Sequence, residues 1–351
     1  MFKTMMFYRI TNSEHIKLLN NWAQLNEALA TNPEHEPAAS QWRALGFSPY
    51  SSKVSEELVW SGANGVNLFS LMIHERALTA ATIREEVLKR GATIEEREGR
   101  KPYRNEYAQL KDEVIAELLP RAFIKHRRIN ALVINDLLVV GASTAKLAED
   151  FLCVLREAMN GLSIRPLSTQ MPPAEWMARL MRENRLEDIR VSDSAKLANT
   201  VKDTVSFKGI NLSDDEPQLY LDTGFAPKEL ALMLGHDLAF KLTDTLIFKG
   251  LKFSDTLLTG AHADADGDLA ATIDADILLT TDVIKRLVVN INDIAGEDLP
   301  DITYPEGQQS GLKITHINHV ALEDLMSPEE KLANLQEQFA TDVDVDEDED
   351  F

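Results

Sequence analysis

The sequence predicts an α+β protein, antiparallel sheets with packed helices, and three observations lead there. Residues 58–60 and 66–73 are apolar runs that flank a Gly62-Ala63-Asn64-Gly65 turn, which is the pattern of a β-hairpin. Residues 129–134 and 137–140 repeat it around Asn135-Asp136, a two-residue hairpin connection. A helical stretch follows directly, with Leu147, Phe151, Leu155 and Ala158 on one face and Gly161 as a natural stop. Hairpins followed by a helix, set against earlier strands, give antiparallel sheet covered by helices.

The remaining elements follow in order. A strand opens the chain. Helical spacing of Leu18, Trp22, Leu25 and Leu29 predicts one helix over residues 13–30 with that stripe in the core, ended by Asn32-Pro33. Residues 79–119 read as helices interrupted at Gly91 and near residues 99–102. Ser143 is the expected N-cap of the next helix. Pro172-Pro173 starts a short helix containing Trp176, and residues 189–254 are strand-rich. Residues 1–292 form the main region. Residues 293–311 read as a linker rich in Pro, Gly and acid, and 312–340 as a short strand and helix extension with a capping-box start at Ser327-Pro328-Glu329-Glu330. Residues 341–351 lack the apolar content to fold and read as a disordered acidic tail.

Composition bounds the function. A chain of 351 residues builds a substantial core in one to three domains. No apolar run of membrane-spanning length is present, and residues 1–10 turn polar too soon for a signal peptide. Cys153 is the single thiol, so it makes no internal disulfide and no multi-cysteine metal site. It reads as a small core residue on a helix, in a protein of the reducing cytoplasm. The net charge of -21 argues against nucleic-acid binding by the whole surface, but not at one concentrated site.

Such a site exists in the sequence. Twelve Lys or Arg stand against nine Asp or Glu between Arg84 and Arg128. Most of them suit a solvated helical face with i,i+4 pairs. After Glu117, however, no acidic residue occurs until Asp136, and Arg121, Lys125, Arg127 and Arg128 lack local partners. Phe123 sits among them, and His126 adds charge at lower pH. Clustered cations with an interleaved ring are suited to phosphates and a base or groove wall. Lys249 and Lys252, in a run that also fits a half-buried strand, are candidates for the same basic surface.

Lys111-Asp112-Glu113-Val114 running into Leu118-Leu119-Pro120-Arg121-Ala122-Phe123 resembles the signature of the RdgC family of bacterial recombination-associated DNA-binding proteins. The likeness extends through Phe2-Lys3 to Tyr8-Arg9, Ser40-Gln41, Gly46-Phe47, the run from Ser143 to Asp150, Lys249 to Phe253, and Asp274 to Thr280, in one order over roughly residues 1–290. It implies a ring-forming homodimer, cytoplasmic and nucleoid-associated, that encircles duplex DNA without reading its sequence. It also implies modulation of RecA-type recombination or replication, no catalytic centre and no cofactor. The family's motif residues that take part in DNA binding correspond here to Arg121 and Phe123. At a second contact region this chain has Lys208-Gly209-Ile210-Asn211-Leu212-Ser213, where only Lys208 keeps the charge.

The end of the chain departs from that family. Seven of the ten residues 342–351 are acidic, and Asp346, Glu347, Asp348, Glu349 and Asp350 lead into a terminal Phe351. That resembles the tail tip of single-stranded DNA-binding proteins, which docks in a partner's basic pocket. It offers a second reading, a single-strand binder that recruits partners. Two further roles are competition with DNA for the basic channel and simple solubilisation. A third reading is a metal-dependent nuclease using carboxylates among Asp264, Asp266, Asp268, Asp274 and Asp276. Against it, the run reads as an acidic loop leading into a strand, and Gly267 separately falls at the wrong place for an EF-hand calcium loop. No phosphate-cradling Gly-rich motif is present.

Overall fold

The computed structural model describes residues 2–62, 65–262 and 268–296. The chain opens with β1 (Thr4–Ile10), α1 (Ser13–Asn20) and α2 (Trp22–Leu29). Next come β2 (Arg43–Ser48), β3 (Val59–Ser61) and β4 (Asn67–Arg76). A helical hairpin, α3 (Ala80–Glu98) and α4 (Arg104–Leu118), ends in a 3-10 turn at Leu119–Arg121. Then follow β5 (Ile124–Ile134), β6 (Leu137–Val140), α5 (Ala145–Ala158), β7 (Ile164–Pro166) and α6 (Pro173–Glu183). The last part holds β8 (Arg185–Leu186), β9 (Ile189–Ala198), β10 (Thr204–Lys208), α7 (Asp215–Asp222), β11 (Ala226–Leu234), β12 (Leu238–Thr243) and β13 (Phe248–Phe253). It closes on α8 (Asp255–His262) and α9 (Leu269–Ala295).

The strands pair antiparallel in the order β10-β9-β11-β12-β13-β1-β6-β5-β4-β2, with β3 on β4, β7 on β1 and β8 on β9. The α+β prediction therefore holds. β1 joins two halves of the sheet: Thr4 and Met5 pair with Lys249 and Phe248, while Met6 to Arg9 pair with β6. At the joint Phe7 meets Phe248 edge to face, with ring centroids 4.9 Å apart.

Alternation along the strands sorts side chains into two cores. Met5, Phe7, Leu68, Leu132 and Val139 join the inner face of the β9–β13 half, where α6 contributes Trp176 and α9 contributes Ile277 and Ile284. On the opposite face of the β1-β6-β5-β4-β2 half, Met6, Tyr8, Phe69, Ile129 and Ala131 pack with Leu25 of α2 and Phe151 of α5. The α3–α4 hairpin has a small core of its own around Ile83, Val87 and Val114.

Several expectations are corrected. The helix over 13–30 is broken at Asn21, whose extended backbone ends α1 and whose side chain caps α2 by accepting from the Gln24 amide. The break resets the helical phase, so Trp22 is half exposed while Leu19 and Leu25 are buried. α3 runs unbroken through Gly91, where the Tyr107 ring lies in the place a Cβ would take. Thr144, not Ser143, caps α5. Cys153 is on α5 but exposed, since Ala148, Phe151, Leu152 and Leu155 form the buried face. The segment from Asp268 onward is a helix and not a strand. Its apolar residues persist at helical spacing through Ile273, Ile277, Ile284, Leu287 and Ile291. Residues 293–295 of the expected linker belong to α9, and the rest of it beyond residue 296, the strand and helix extension and the acidic tail lie outside the described residues.

A loop that bears on the site crosses β2. The Phe47 amide donates to the Asn32 carbonyl and its own carbonyl accepts from the Glu34 amide. A Cβ on Gly46 would collide with the Pro33 carbonyl and the Glu34 amide, both backbone. Gly46→Ala is expected to destabilise the fold by about 1–3 kcal/mol, seen as a lower urea midpoint with an unchanged slope.

Candidate nucleic-acid interface

β5 pairs with β4 over ten successive positions, from Asn67↔Val133 to Arg76↔Ile124. Its other edge pairs with β6 only from Ala131 to Ile134. The first half of β5 therefore projects past the core while β4 holds its backbone. Lys125, His126, Arg127 and Arg128 are all exposed there, whereas the second half, from Ala131, is buried.

Strand alternation splits these cations between two faces. Lys125 and Arg127 continue the face of Ile129 and Ala131, and neither makes an ion pair among the described residues. His126 and Arg128 lie on the other face, opposite His74 and Met72. Two of the four cations do have partners. Arg121 reaches Glu117 one turn back at 3.8 Å, and the Arg128 guanidinium donates to the Tyr50 carbonyl. The helical register of α4 and the loop before β3 supply them, which the run of acid-free sequence concealed. Arg121 nevertheless keeps a side-chain exposure of 76%, at which an ion pair contributes little.

Phe123 is 89% exposed. A ring left in water forgoes roughly 1.5–3 kcal/mol of burial, so this placement has a cost. Its backbone is fixed all the same. The Phe123 carbonyl accepts from the Ala77 amide at 2.7 Å, and the Ala122 amide donates to Leu119 at 3.2 Å. The Arg76 guanidinium donates through Nη1 to the Leu119 and Pro120 carbonyls at 3.1 Å each, and through Nη2 to Pro37 at 3.0 Å. Arg76 thus pins the turn that presents Arg121 and Phe123. Nothing in the sequence singles it out, because its partners are carbonyls distant in the chain.

Beside it runs a chain of three side chains. Glu34 Oε1 lies 2.9 Å from His74 Nε2, and His74 Nδ1 lies 2.6 Å from His126 Nδ1. The two rings meet edge to face at 4.7 Å. His74 is buried and His126 exposed.

The other half of the sheet carries a second basic face. Lys249 is opposite Lys241, and Lys252 is opposite Ala239. Three steps on β13 against two on β12 mark a bulge, and Gly250 sits in it at φ +60°. The bulge keeps both lysines on one face while Phe248, Leu251 and Phe253 all enter the core. On β9 and β10, Ala195 and Phe207 face that core. Lys196 and Lys208 therefore point the other way, with Glu229 opposite Lys196. Lys208, Lys249 and Lys252 thus share a face with Lys196 and Lys241, which the sequence did not single out. Glu229 contacts Lys241 at 3.2 Å and Lys249 at 3.8 Å. Through Thr4↔Lys249, this face lies on the same side of the sheet as Lys125 and Arg127, with the core under α2 and α5 between the two groups.

The family described as "Putative exonuclease, RdgC" matches residues 1–297. The chain belongs to the RdgC family. It is 31% identical over 306 residues to the recombination-associated protein RdgC of Pseudomonas syringae pv. syringae strain B728a, covering 85% of this chain and 98% of the relative. The RdgC protein of Pseudomonas putida strain GB-1 is 31% identical with the same coverage. That of Pseudomonas aeruginosa strain LESB58 is 30% identical over 305 residues, again 85% and 98%. The RdgC-matched region thus takes in the whole described fold.

The "exonuclease" in the family description directs attention to the carboxylates. Asp264 and Asp266 lie outside the described residues. Asp268 caps α9, accepting from the Ala270 amide at 2.9 Å. Asp274 accepts from Trp60 Nε1 at 2.7 Å, and Asp276 contacts His262 Nε2 at 2.8 Å. Among the described residues no group of three or more His, Cys, Asp or Glu is placed to hold a metal ion. Likewise, no helix among them is long and apolar enough to cross a membrane. Asp346, Glu347, Asp348, Glu349, Asp350 and Phe351 are outside the described residues.

The pinned turn makes a prediction. Arg76→Met removes four backbone contacts, to Leu119, Pro120, Pro37 and Ala38, and leaves carbonyls unpaired, and is expected to cost about 1–3 kcal/mol. Amide exchange at Ala77 and Ala122 should accelerate more than exchange in α5, as read by hydrogen exchange.

Proposed function

We propose that this chain binds DNA largely independently of sequence, through the exposed half of β5, the pinned Phe123 and the lysine face of β9–β13. The observation that carries the reading is the exposed stretch Lys125–Arg128, displayed on both faces of β5 near an exposed ring, in a chain of net charge -21. Cations on a rigid strand suit phosphates at fixed spacing, and such contacts position a protein without specifying bases. Membership in a family whose named relatives are recombination-associated supports a role in recombination. In this reading the protein acts by occupying DNA, as a homodimer that encircles the duplex, and a RecA-type recombinase or a replication protein is the partner it affects. A negative outer surface then confines the nucleic acid to the basic faces.

A second reading has one observation in its favour. An aromatic ring 89% exposed is also a platform on which an unpaired base stacks. A single-strand binder would use Phe123 in that way.

Each phosphate-contacting cation contributes about 0.9 to the slope of log affinity against log salt on duplex DNA. Arg127→Ala and Lys125→Ala are each expected to flatten that slope by about one unit without changing sequence preference, measured by fluorescence anisotropy over a salt series. Slopes and affinities that match the unsubstituted protein would remove β5 from the interface. Tighter binding to single strands of equal length, lost with Phe123→Ala, would favour the second reading. DNA degraded in the presence of magnesium or manganese, with activity lost in Asp266→Ala and Asp276→Ala, would replace both with a nuclease.

A further inference from the structure

We propose that His74 and His126 are a cross-strand pair of ligands for one divalent ion of the zinc class, with Glu34 behind His74 as its orienting partner. This goes beyond the DNA-interface reading above and does not depend on it.

The sheet sets the pair. His74 of β4 stands directly opposite His126 of β5, and opposed side chains on one face have Cβ atoms about 4.5–5.5 Å apart. The two Nδ1 atoms are 2.6 Å apart and the ring centroids 4.7 Å. The centroid separation is close to the nitrogen separation plus two ring radii, so each Nδ1 points at the other and not past it. Behind His74, Glu34 Oε1 lies 2.9 Å from Nε2. A carboxylate only accepts, so Nε2 carries the hydrogen and Nδ1 of the neutral ring keeps its lone pair. Metal-bound histidine is held in this way, with one nitrogen donating to a carboxylate and the other on the ion. The His74 side chain is 5% exposed, which fixes the direction of that lone pair. The histidines are 52 positions apart, so no spacing in the sequence shows them.

An ion fits after one small movement. Zinc takes imidazole nitrogen at about 2.0–2.1 Å in a tetrahedron, which sets the two nitrogens about 3.3 Å apart. His126, the exposed ring, has to retreat by about 0.7 Å from its present contact. The hydrogen that lay between the two Nδ1 atoms then resides on His126 Nε2, facing water. The ring stays neutral, and no proton is gained or lost. Imidazole suits zinc, copper and nickel, whereas magnesium and calcium call for oxygen ligands. Two protein ligands leave an open site completed by water, in keeping with the lack of any group of three His, Cys, Asp or Glu suited to a metal among the described residues. Strand alternation puts Arg76 and Arg128 on the same face. Both turn their guanidinium groups to backbone carbonyls, and Glu34 supplies the negative charge beside the pair.

The test is a zinc titration of the full chain carrying no affinity tag, read by competition with a zinc-sensitive dye and by nitrogen spectra of protein labelled in histidine. One zinc should bind per chain, and the Nδ1 signals of His74 and His126 should be the ones that shift. Glu34→Gln keeps an acceptor but loses the charge, and should weaken zinc binding about 10–100-fold, the worth of an outer partner. His126→Ala removes a ligand at an exposed position and should weaken it further than Glu34→Gln does. His236→Ala, at a histidine elsewhere in the fold, should change nothing, and magnesium should not compete. Zinc binding that His126→Ala leaves unchanged, shifts confined to other histidines, or no binding up to about 1 mM zinc overturns the inference. The DNA-interface reading survives each of these results, since the titration contains no DNA.

Discussion

Ten successive antiparallel pairs between β4 and β5 are the constraint on which the proposed interface depends. A strand of four consecutive charged or polar residues has no reason to stay extended in water on its own. It does so because its C-terminal half is locked in the middle of the sheet by Ala131, Leu132 and Val133, each buried. Register is set there, since a slip of one residue would turn every core side chain outward. The first half inherits that register through β4. Lys125, His126, Arg127 and Arg128 are thereby displayed on a backbone held in strand geometry by β4, which spares much of the cost of ordering a loop on binding.

The same pairing dictates how charge is distributed. Successive side chains fall on opposite faces, so the cluster forms two short rows and not one patch. One row, Lys125 and Arg127, lies on the same side of the sheet as the lysines of β9, β12 and β13, with the core under α2 and α5 between them. The other, His126 and Arg128, stands with His74 and Arg76 near the turn that bears Phe123. Both terminal nitrogens of Arg76 donate to backbone carbonyls. Its charge serves geometry: it fixes the turn from which Arg121 and the ring project. In a chain of net charge -21, positive residues are thus divided between those that build the proposed interface and those that would form it.

Much of this was legible in the sequence, and the exceptions have physical causes. Both hairpins were readable because apolar runs and turn residues are local signals, and Asn135 takes the left-handed conformation its turn requires. Trp22 was misplaced because a helical stripe carries no mark of the break that the Asn21 cap introduces. α9 was misread as a strand because its first apolar run is short, and only the longer repeat shows its period. At the interface, residue type and clustering pointed to Arg121, Phe123 and the β5 cations. Residue order could not show that Arg128 donates to the Tyr50 carbonyl, or that Glu34, His74 and His126 form a chain. Those contacts join residues 78, 40 and 52 positions apart. Lys196 and Lys241 were missed for the same reason, since only strand order places them beside Lys249.

The central claim is that the turn at Phe123 and the free half of β5 lie against DNA. The most direct measurement replaces Phe123 with a photo-crosslinking phenylalanine analogue and, in a separate protein, does the same at Trp22, an exposed ring on α2. After irradiation with labelled duplex, the account predicts a covalent adduct from position 123, suppressed by unlabelled DNA and by high salt, and little or none from position 22. Adducts of equal yield from both positions, or from position 22 alone, would contradict it.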